Sequence, residues 1–467
     1  MDAFIIHGGK RLRGRVRVHG SKNACLPLMA AALLTDEPVI IRDVPDLSDI
    51  RNMAKLLGTL GCQAEFAHEN GLNVVRLHVT DPSGVMAHYD IVRTMRAGIC
   101  VLGPLVARRG KAQVSMPGGC AIGDRPVDLH LRGLAGLAAK ITLDEGYITA
   151  EAPGGKQRRL VGNRIFMGGP FGSTVLGTDN VMCAAVLAEG ITIIECAACE
   201  PEVVDLANML NAMGAKISGA GGPRIVIEGV EKLHGVDYTV MPDRIEAGTY
   251  IMASAITNGE VILENCPTDS LTAVLDRLNE VGIEVESIPE TKEGAASSPL
   301  RSAGLQAVPS SPGNPINLLQ EHLRETVRVS SSRRLQPVQV VTQPHPGFPT
   351  DVQAQLMALL CLADGNSIIT EKIFPDRFLH VAELLRMGAR LMRNGPSVLV
   401  TGVHQLVGAP VMASDLRASA GLVLAGLAAK GATTIHRVYH LDRGYERMEL
   451  TLQSLGADIQ RVDEKAV

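Results

Sequence analysis

One short motif returns six times along this chain, and a chain built that way folds as copies of a single unit. It reads Leu60-Gly61-Cys62, Leu137-Ala138-Ala139, Met213-Gly214-Ala215, Val281-Gly282-Ile283, Met387-Gly388-Ala389 and Leu455-Gly456-Ala457. In each copy an apolar residue closes a helical stretch, a small residue stops it, and a strand-like run follows. Five of the six small residues are Gly, which suits a helix stop followed by a turn. The spacings between them are 77, 76, 68, 106 and 68 residues. In phase with this motif run helical stretches of small residues, each ending in a turn before a β-branched run, such as 29–34 before 39–41 and 422–429 before 433–435. The unit is thus helix, strand, helix, strand over about 70 residues. Six copies predict two domains of three units each. The one long spacing falls where residues 289–315 turn rich in Ser, Pro, Gly and Ala, and reads as an inserted flexible loop.

Composition narrows the class. With 467 residues the chain is long enough for two to four domains. Trp is absent and aromatics are 3%, so the core must be built from Ala, Val, Leu, Ile and Met. Net charge is −4, which gives no electrostatic footprint for a nucleic-acid partner. The longest uncharged, mostly apolar stretches, 97–107 and 418–429, fall short of the ~20 residues a membrane span needs. The first residues lack a basic segment followed by a long apolar run, so no signal peptide is expected. Nine scattered Cys make no disulfide framework, and a cytoplasmic location fits best. The sequence leaves homo-oligomerisation open.

Polar residues cluster where the small-residue helices begin. Lys22-Asn23 opens the first, Arg93 and Arg96 lie early in the second, and Thr178-Asp179-Asn180 opens the third. Asp243-Arg244 opens the fourth, Thr350-Asp351 the fifth, and Ser414-Asp415-Leu416-Arg417 the sixth. Thr178, Thr350 and Ser414 read as N-caps. Lys22, Arg96 and Arg417 do not, because a cation there opposes the helix dipole unless an anion joins it. Their recurrence at equivalent repeat positions points to a site for ligands carrying phosphate or carboxylate groups.

Other motifs are less decisive. Cys120 sits in a Gly-rich run, 117–126, beside Arg125. That setting suits a reactive thiol of lowered pKa, with a buried structural Cys as the alternative. The Gly-rich segment 168–177 matches no P-loop, so a phosphate cradle and a plain turn are both open. Cys196 and Cys199 have redox or zinc spacing, but no second ligand pair follows, and no metal site is expected. His345 and His380 read as structural. No G-x-S-x-G elbow is present.

Taken together, these residues resemble the enolpyruvyl transferases, and within them those of peptidoglycan synthesis that act on UDP-N-acetylglucosamine. The resemblance rests on Gly20-Ser21-Lys22-Asn23-Ala24, on 117–129 with Cys120 and Arg125-Pro126-Val127-Asp128-Leu129, and on Phe348-Pro349-Thr350-Asp351. It rests also on Arg377-Phe378, Asp415-Leu416-Arg417-Ala418-Ser419 and Asp442-Arg443-Gly444-Tyr445-Glu446-Arg447. It implies an α/β fold of the α+β type: two inside-out α/β barrel domains, each of three βαβαββ-like repeats, joined by a double-crossover hinge. The expected domains are 22–231, carrying the Cys120 loop, and 1–21 with 232–467.

The resemblance also implies the reaction, the first committed step toward the cell wall and so toward cell shape and division. The enolpyruvyl group of phosphoenolpyruvate passes to the 3′-hydroxyl of UDP-N-acetylglucosamine by addition and elimination, releasing phosphate without a cofactor. Lys22, Arg125, Arg417 and Arg443 would hold the phosphate and carboxylate of the donor. Cys120 would be the general acid and the target of fosfomycin, and Asp351 the base near the sugar hydroxyl. Asn23, Arg96, Arg125, Pro126, Val127, Asp128, Leu129 and Ile373 would contact the UDP-sugar, and Arg377 would support the closed site. One departure is visible: 172–177 reads Gly-Ser-Thr-Val-Leu-Gly, without the Lys that the family often places against the UDP phosphates.

Three rivals follow. A shikimate-phosphate acceptor is disfavoured by Cys120 and the Arg125-Pro126-Val127-Asp128 run. Another uridine nucleotide, such as UMP, is left open by the altered 172–177 segment. A non-catalytic paralogue binding UDP-sugar would not need Lys22, Cys120, Asp351, Arg417 and Arg443 together.

Overall fold

The computed structural model describes residues 2–117, 127–154, 159–288, 323–331 and 334–464. Cys120, Arg125 and Pro126 lie outside the described residues, and so does the 289–315 segment.

The six small-residue stretches form helices α1 (Lys22–Ala31), α2 (Leu102–Arg109), α3 (Val175–Ala185), α4 (Arg244–Ile256), α5 (Gln353–Leu360) and α6 (Leu416–Ala428). These helices are apolar on every side, and such a helix has no face to offer water. Every residue of α4 and α5 is buried, and so is every residue of α1 except Asn23. Small side chains let them lie close. A Cβ at Gly103 would sit 2.1 Å from the Asn180 carbonyl oxygen, and one at Gly421 would sit 2.7 Å from that of Ala354. The amphipathic helices of the units, such as Ser48–Thr59 and Leu379–Arg386, keep an exposed face. Among the described residues no helix is long and apolar enough to cross a membrane.

Among the described residues, six four-stranded sheets surround the buried helices. Each has one design: a short edge strand runs parallel to the strand after a small-residue helix, which pairs antiparallel with the inner member of an antiparallel strand pair. Met86–Ala87, Lys111–Ser115, Tyr147–Glu151 and Lys140–Asp144 show it in order. Three sheets break chain order. The first takes its edge strand from Val236–Thr239, which pairs with Val39–Arg42. The fourth takes Arg13–Arg17. The sixth takes Asp2–His7 as an inner strand between Ala432–His436 and Asp458–Asp463.

Two hydrophobic cores result. One gathers buried side chains from Ala24 to Met241; the other gathers Phe4 to Val18 with Ile245 to Ile459. The chain passes between them twice, and the two passages are hydrogen-bonded side by side. Gly20 bridges Pro242, Ser21 N donates to Met241 O at 2.7 Å, and Asp243 N donates to His19 O at 2.8 Å. The second passage thus falls after Met241, beyond the boundary expected at 232, because Val236–Thr239 completes the first sheet. Gly20 has no room for a side chain: a Cβ there would lie 1.9 Å from the Asp43 carbonyl oxygen.

The six motif positions share one backbone state. Gly61, Ala138, Gly214, Gly282, Gly388 and Gly456 have φ of 77, 64, 99, 95, 84 and 93°. Each is the left-handed stop of a helix. Behind four of them Ala139, Ala215, Ala389 and Ala457 donate back to the carbonyls of Leu134, Leu210, Leu384 and Leu452. Ala138 alone carries a Cβ, at a strain of about 1–2 kcal/mol. Ala138→Gly removes that strain while loosening the unfolded chain by about 0.4–1 kcal/mol, so its urea midpoint should rise by the equivalent of about 0.5–1 kcal/mol. In Gly388→Ala the nearest atom to the new Cβ is Val407 Cγ2 at 3.6 Å, so only backbone strain acts; a loss of about 1 kcal/mol is expected. A less stable Ala138→Gly protein would refute the strain.

At the first passage, His19 Nδ1 lies 3.0 Å from Glu246 Oε1, and its backbone N donates to Oε2 at 2.8 Å. The Glu246 charge outweighs burial and lifts the His19 pKa from 6.5 to about 9. A raised folded-state pKa contributes stability that is complete below about 6.5 and is lost as pH rises through about 9. His19→Gln should therefore cost about 1–2 kcal/mol at pH 6 and little at pH 10. An equal loss at both pH values would mean that packing, not charge, matters there.

Candidate active site

The starts of the buried helices bring charged groups together where the two cores meet. Ser21 caps α1 by accepting from Ala24 N, which places Lys22 at the first helical position. Lys22 is buried, and its Nζ lies 3.4 Å from Asp49 Oδ2. Asp49 also reaches across to the second core, where Arg443 Nε meets its Oδ1 at 3.1 Å. Burial lowers the Lys22 pKa; Asp49 opposes that effect, while Arg417 and Arg443 reinforce it.

A second carboxylate stands in the same field. Asp351 Oδ1 lies 2.7 Å from Arg377 Nη1, and its Oδ2 lies 3.1 Å from Arg417 Nη2. Arg417 begins α6 behind the cap Asp415, whose side chain accepts from Arg417 N and Ala418 N. Burial works against the Arg417 charge, but Asp351, Tyr445 and Asp243 outweigh it and raise its pKa. Behind it, Tyr445 Oη meets Thr249 Oγ1 at 2.8 Å and Gln355 Nε2 at 3.2 Å. That knot ties α4, α5 and α6 to one point. Asp243 caps α4, accepting from Ile245 N and Glu246 N, and also from Lys22 N at 3.3 Å.

Further bonds join the halves around this cluster. Arg244 forks onto Glu202 at 2.9 and 3.2 Å, His345 N donates to Glu200 at 3.3 Å, and Asp46 N donates to Glu446 at 2.8 Å.

Of the residues expected at the site, Lys22, Asp351, Arg377, Arg417 and Arg443 are joined through Asp49, Asp351 and the electrostatics of Lys22. Asn23 is half-buried beside Lys22. Arg96 opens the 3-10 turn Arg96–Val101 ahead of α2, and its charge adds to burial in pushing His130 down to about 4. His130 in turn meets Asn180 on α3 at 3.1 Å. Val127, Asp128 and Leu129 start the helix Asp128–Gly136, with Val127 buried and Asp128 exposed. Ile373 N donates to Glu371 Oε1 at 2.8 Å.

Three N-cap expectations are corrected. Thr174, not Thr178, caps α3; Thr178 lies within the helix and accepts from Ala198 N. Asp415, not Ser414, caps α6. Thr350 gives its hydroxyl proton to Glu371 Oε2 at 2.8 Å. In the 168–177 segment, Gly169 and Gly172 bond each other ahead of the Thr174 cap. Cys196 and Cys199 are half-buried free thiols.

Sequence reasoning missed Asp49, Gln355 and Glu371. Asp49 looks like an ordinary acidic residue in a first helical turn, and nothing local marks a carboxylate whose partners are remote in sequence.

The family model for EPSP synthase (3-phosphoshikimate 1-carboxyvinyltransferase) matches residues 6–452. The chain belongs to the EPSP synthase family. It is 48% identical over 465 residues to the UDP-N-acetylglucosamine 1-carboxyvinyltransferase of Methylacidiphilum infernorum, covering the whole of both chains. It is 50% identical over 464 residues to the protein of that name in Nitratidesulfovibrio vulgaris (strain Hildenborough), covering 99% of this chain and 100% of that one. The crystal structure of the enolpyruvyl transferase NikO from Streptomyces tendae superposes with a TM-score of 0.81 at 25% identity, covering 99% of each chain. An EPSP synthase from Acinetobacter baumannii shares the fold, with a TM-score of 0.73 at 18% identity over 99% of this chain and 100% of that one. In this EPSP synthase family member, four cations thus surround two carboxylates where the cores meet.

If Asp49 is what keeps Lys22 charged, Asp49→Asn must lower the Lys22 pKa further, because a favourable charge is lost while burial stays. Titrating the Lys22 ε-carbon by NMR in both proteins checks this. An unmoved or raised midpoint would remove Asp49 as its partner.

Proposed function

We infer that this chain transfers the enolpyruvyl group of phosphoenolpyruvate to the 3′-hydroxyl of UDP-N-acetylglucosamine, releasing phosphate. The observation that carries the donor side is the placement of Lys22, Arg443, Arg417 and Arg377 around Asp49 and Asp351, each carboxylate held by two cations. Phosphoenolpyruvate brings a phosphate and a carboxylate, and guanidinium forks suit both. The acceptor follows from near-50% identity, over essentially the whole length, to relatives named for UDP-N-acetylglucosamine.

In this reading Arg417 and Arg443 turn from Asp351 and Asp49 to the arriving donor, and Lys22 and Arg125 complete its cradle. Asp351 takes the proton of the sugar 3′-hydroxyl as its oxygen bonds to the central carbon of the donor. Cys120 delivers a proton to the methylene carbon, making a methyl group and a tetrahedral adduct. Phosphate then leaves with the electrons of its carbon–oxygen bond as the Cys120 thiolate takes back a methyl proton, which restores the double bond and the thiol. Asn23, Arg96, Arg125, Pro126, Val127, Asp128, Leu129 and Ile373 line the acceptor side, and Arg377 keeps Asp351 in place. Closure of the halves excludes water from the adduct. The reaction needs no metal or cofactor for charge stabilisation when so many cations converge. We place the activity in the cytoplasm, in keeping with eight described cysteines that are all free.

Phosphate release should be measured with UDP-N-acetylglucosamine, UMP and shikimate 3-phosphate as separate acceptors, each with and without fosfomycin. Release with UDP-N-acetylglucosamine alone, abolished by fosfomycin, is expected; Cys120→Ser should release phosphate much more slowly, because a hydroxyl is a weaker acid than a thiol, and what release remains should not respond to fosfomycin. Asp351→Asn should lower kcat by about 10²–10⁴. Release only with UMP would move the acceptor assignment, and silence with all three would overturn the enzyme reading.

A further inference from the structure

We propose that Glu371 is a positioning residue for this reaction, holding the catalytic base on one carboxylate oxygen and the sugar-nucleotide loop on the other. The inference rests on the functional reading above. Glu371 is fully buried, and among the described residues no lysine or arginine is bonded to it. Four donors converge on it instead. Oε1 accepts from Thr342 Oγ1 at 2.7 Å, Ile373 N at 2.8 Å and Phe374 N at 3.0 Å. Oε2 accepts from Thr350 Oγ1 at 2.8 Å. A carboxylate taken out of water survives only where donors replace its hydration, and these four do so.

The two oxygens face different parts of the site. Thr350 precedes Asp351, and with its proton committed to Glu371 its oxygen is turned to accept from Arg377 Nη1 at 3.0 Å. The same Nη1 holds Asp351 Oδ1 at 2.7 Å. Glu371 Oε2 therefore fixes Thr350, Thr350 fixes Arg377, and Arg377 fixes the base. Oε1 instead pins the turn after the strand Asn366–Thr370, which carries Ile373 and leads to Arg377. One side chain sets the distance between the base and the acceptor loop.

This division makes the two obvious variants behave differently. In Glu371→Gln the amide oxygen can keep the three donors of Oε1, Thr342 Oγ1 and the two backbone N–H groups of the loop, while the amide nitrogen can only donate to Thr350. The hydroxyl then loses its acceptor, and the hold on Arg377 and Asp351 loosens. In Glu371→Ala both arms are gone.

Steady-state kinetics for both substrates, with melting temperatures, test the idea. Glu371→Gln should lower kcat by about tenfold or more, with both KM values within about twofold of wild type. Glu371→Ala should lower kcat similarly and also raise KM for UDP-N-acetylglucosamine by about tenfold, leaving KM for phosphoenolpyruvate within about twofold. Unchanged kcat in Glu371→Gln, or equal rises in both KM values in Glu371→Ala, would overturn the assignment. Activity lost only in proportion to unfolded protein would overturn it too. Wild-type protein silent with UDP-N-acetylglucosamine would overturn the functional reading and the assignment together. An active wild type beside indifferent variants would sink the assignment alone.

Discussion

Everything in this molecule follows from helices that have no side fit for water. Six helices built from Ala, Gly, Leu, Val and Met must be wrapped completely, and the sheets do the wrapping. Once the flanks are covered, only the ends can carry polar chemistry. The first turns of α1, α4 and α6 hold Lys22, Arg244 and Arg417, all buried, and each lies beside an acidic partner. The site is thus where the wrapping stops, and its cations sit on rigid elements rather than on free loops.

Those cations are placed against electrostatic preference, since helix N-termini repel positive charge. Capping carboxylates such as Asp243 and Asp415 and the bridging carboxylates Asp49 and Asp351 make the arrangement tolerable. The bridging pair holds the four cations in place, and in the functional reading proposed above an anion carrying two acidic groups takes its place. Exchange of an internal carboxylate for a ligand's own phosphate or carboxylate changes little in the number of charge pairs. Such a site can be preorganised without collapsing.

How much of this the chain disclosed depends on the range of each interaction. The repeat was readable because the helix stop is local: a small residue in left-handed backbone at Gly61, Gly214, Gly282, Gly388 and Gly456, with Ala138 as the exception. Lys22 and Arg417 stood out because a cation at a helix start needs a reason. The partners were not readable. Arg443 meets Asp49 across 394 positions, and Glu371 gathers donors from Thr342, Thr350 and its own loop. Caps were misplaced by one to four residues at Ser414 and Thr178, because several Ser, Thr and Asp residues compete near each helix start and only the backbone decides among them. The second passage between cores was set too early because nothing in Val236–Thr239 says which distant strand it will join.

The strands Asp2–His7 and Arg13–Arg17 belong to the last sheets of the fold, not the first. On a ribosome they emerge before any partner exists. The first core, from Ala24 to Met241, has all its strands once Val236–Thr239 has been made. The second must wait for Asp458–Asp463, which is made long after the strand Asp2–His7 that it flanks. The first half can therefore be finished while the second is still being made. Throughout that interval the chain's leading segment stays unpaired, tethered to a half that is already folded.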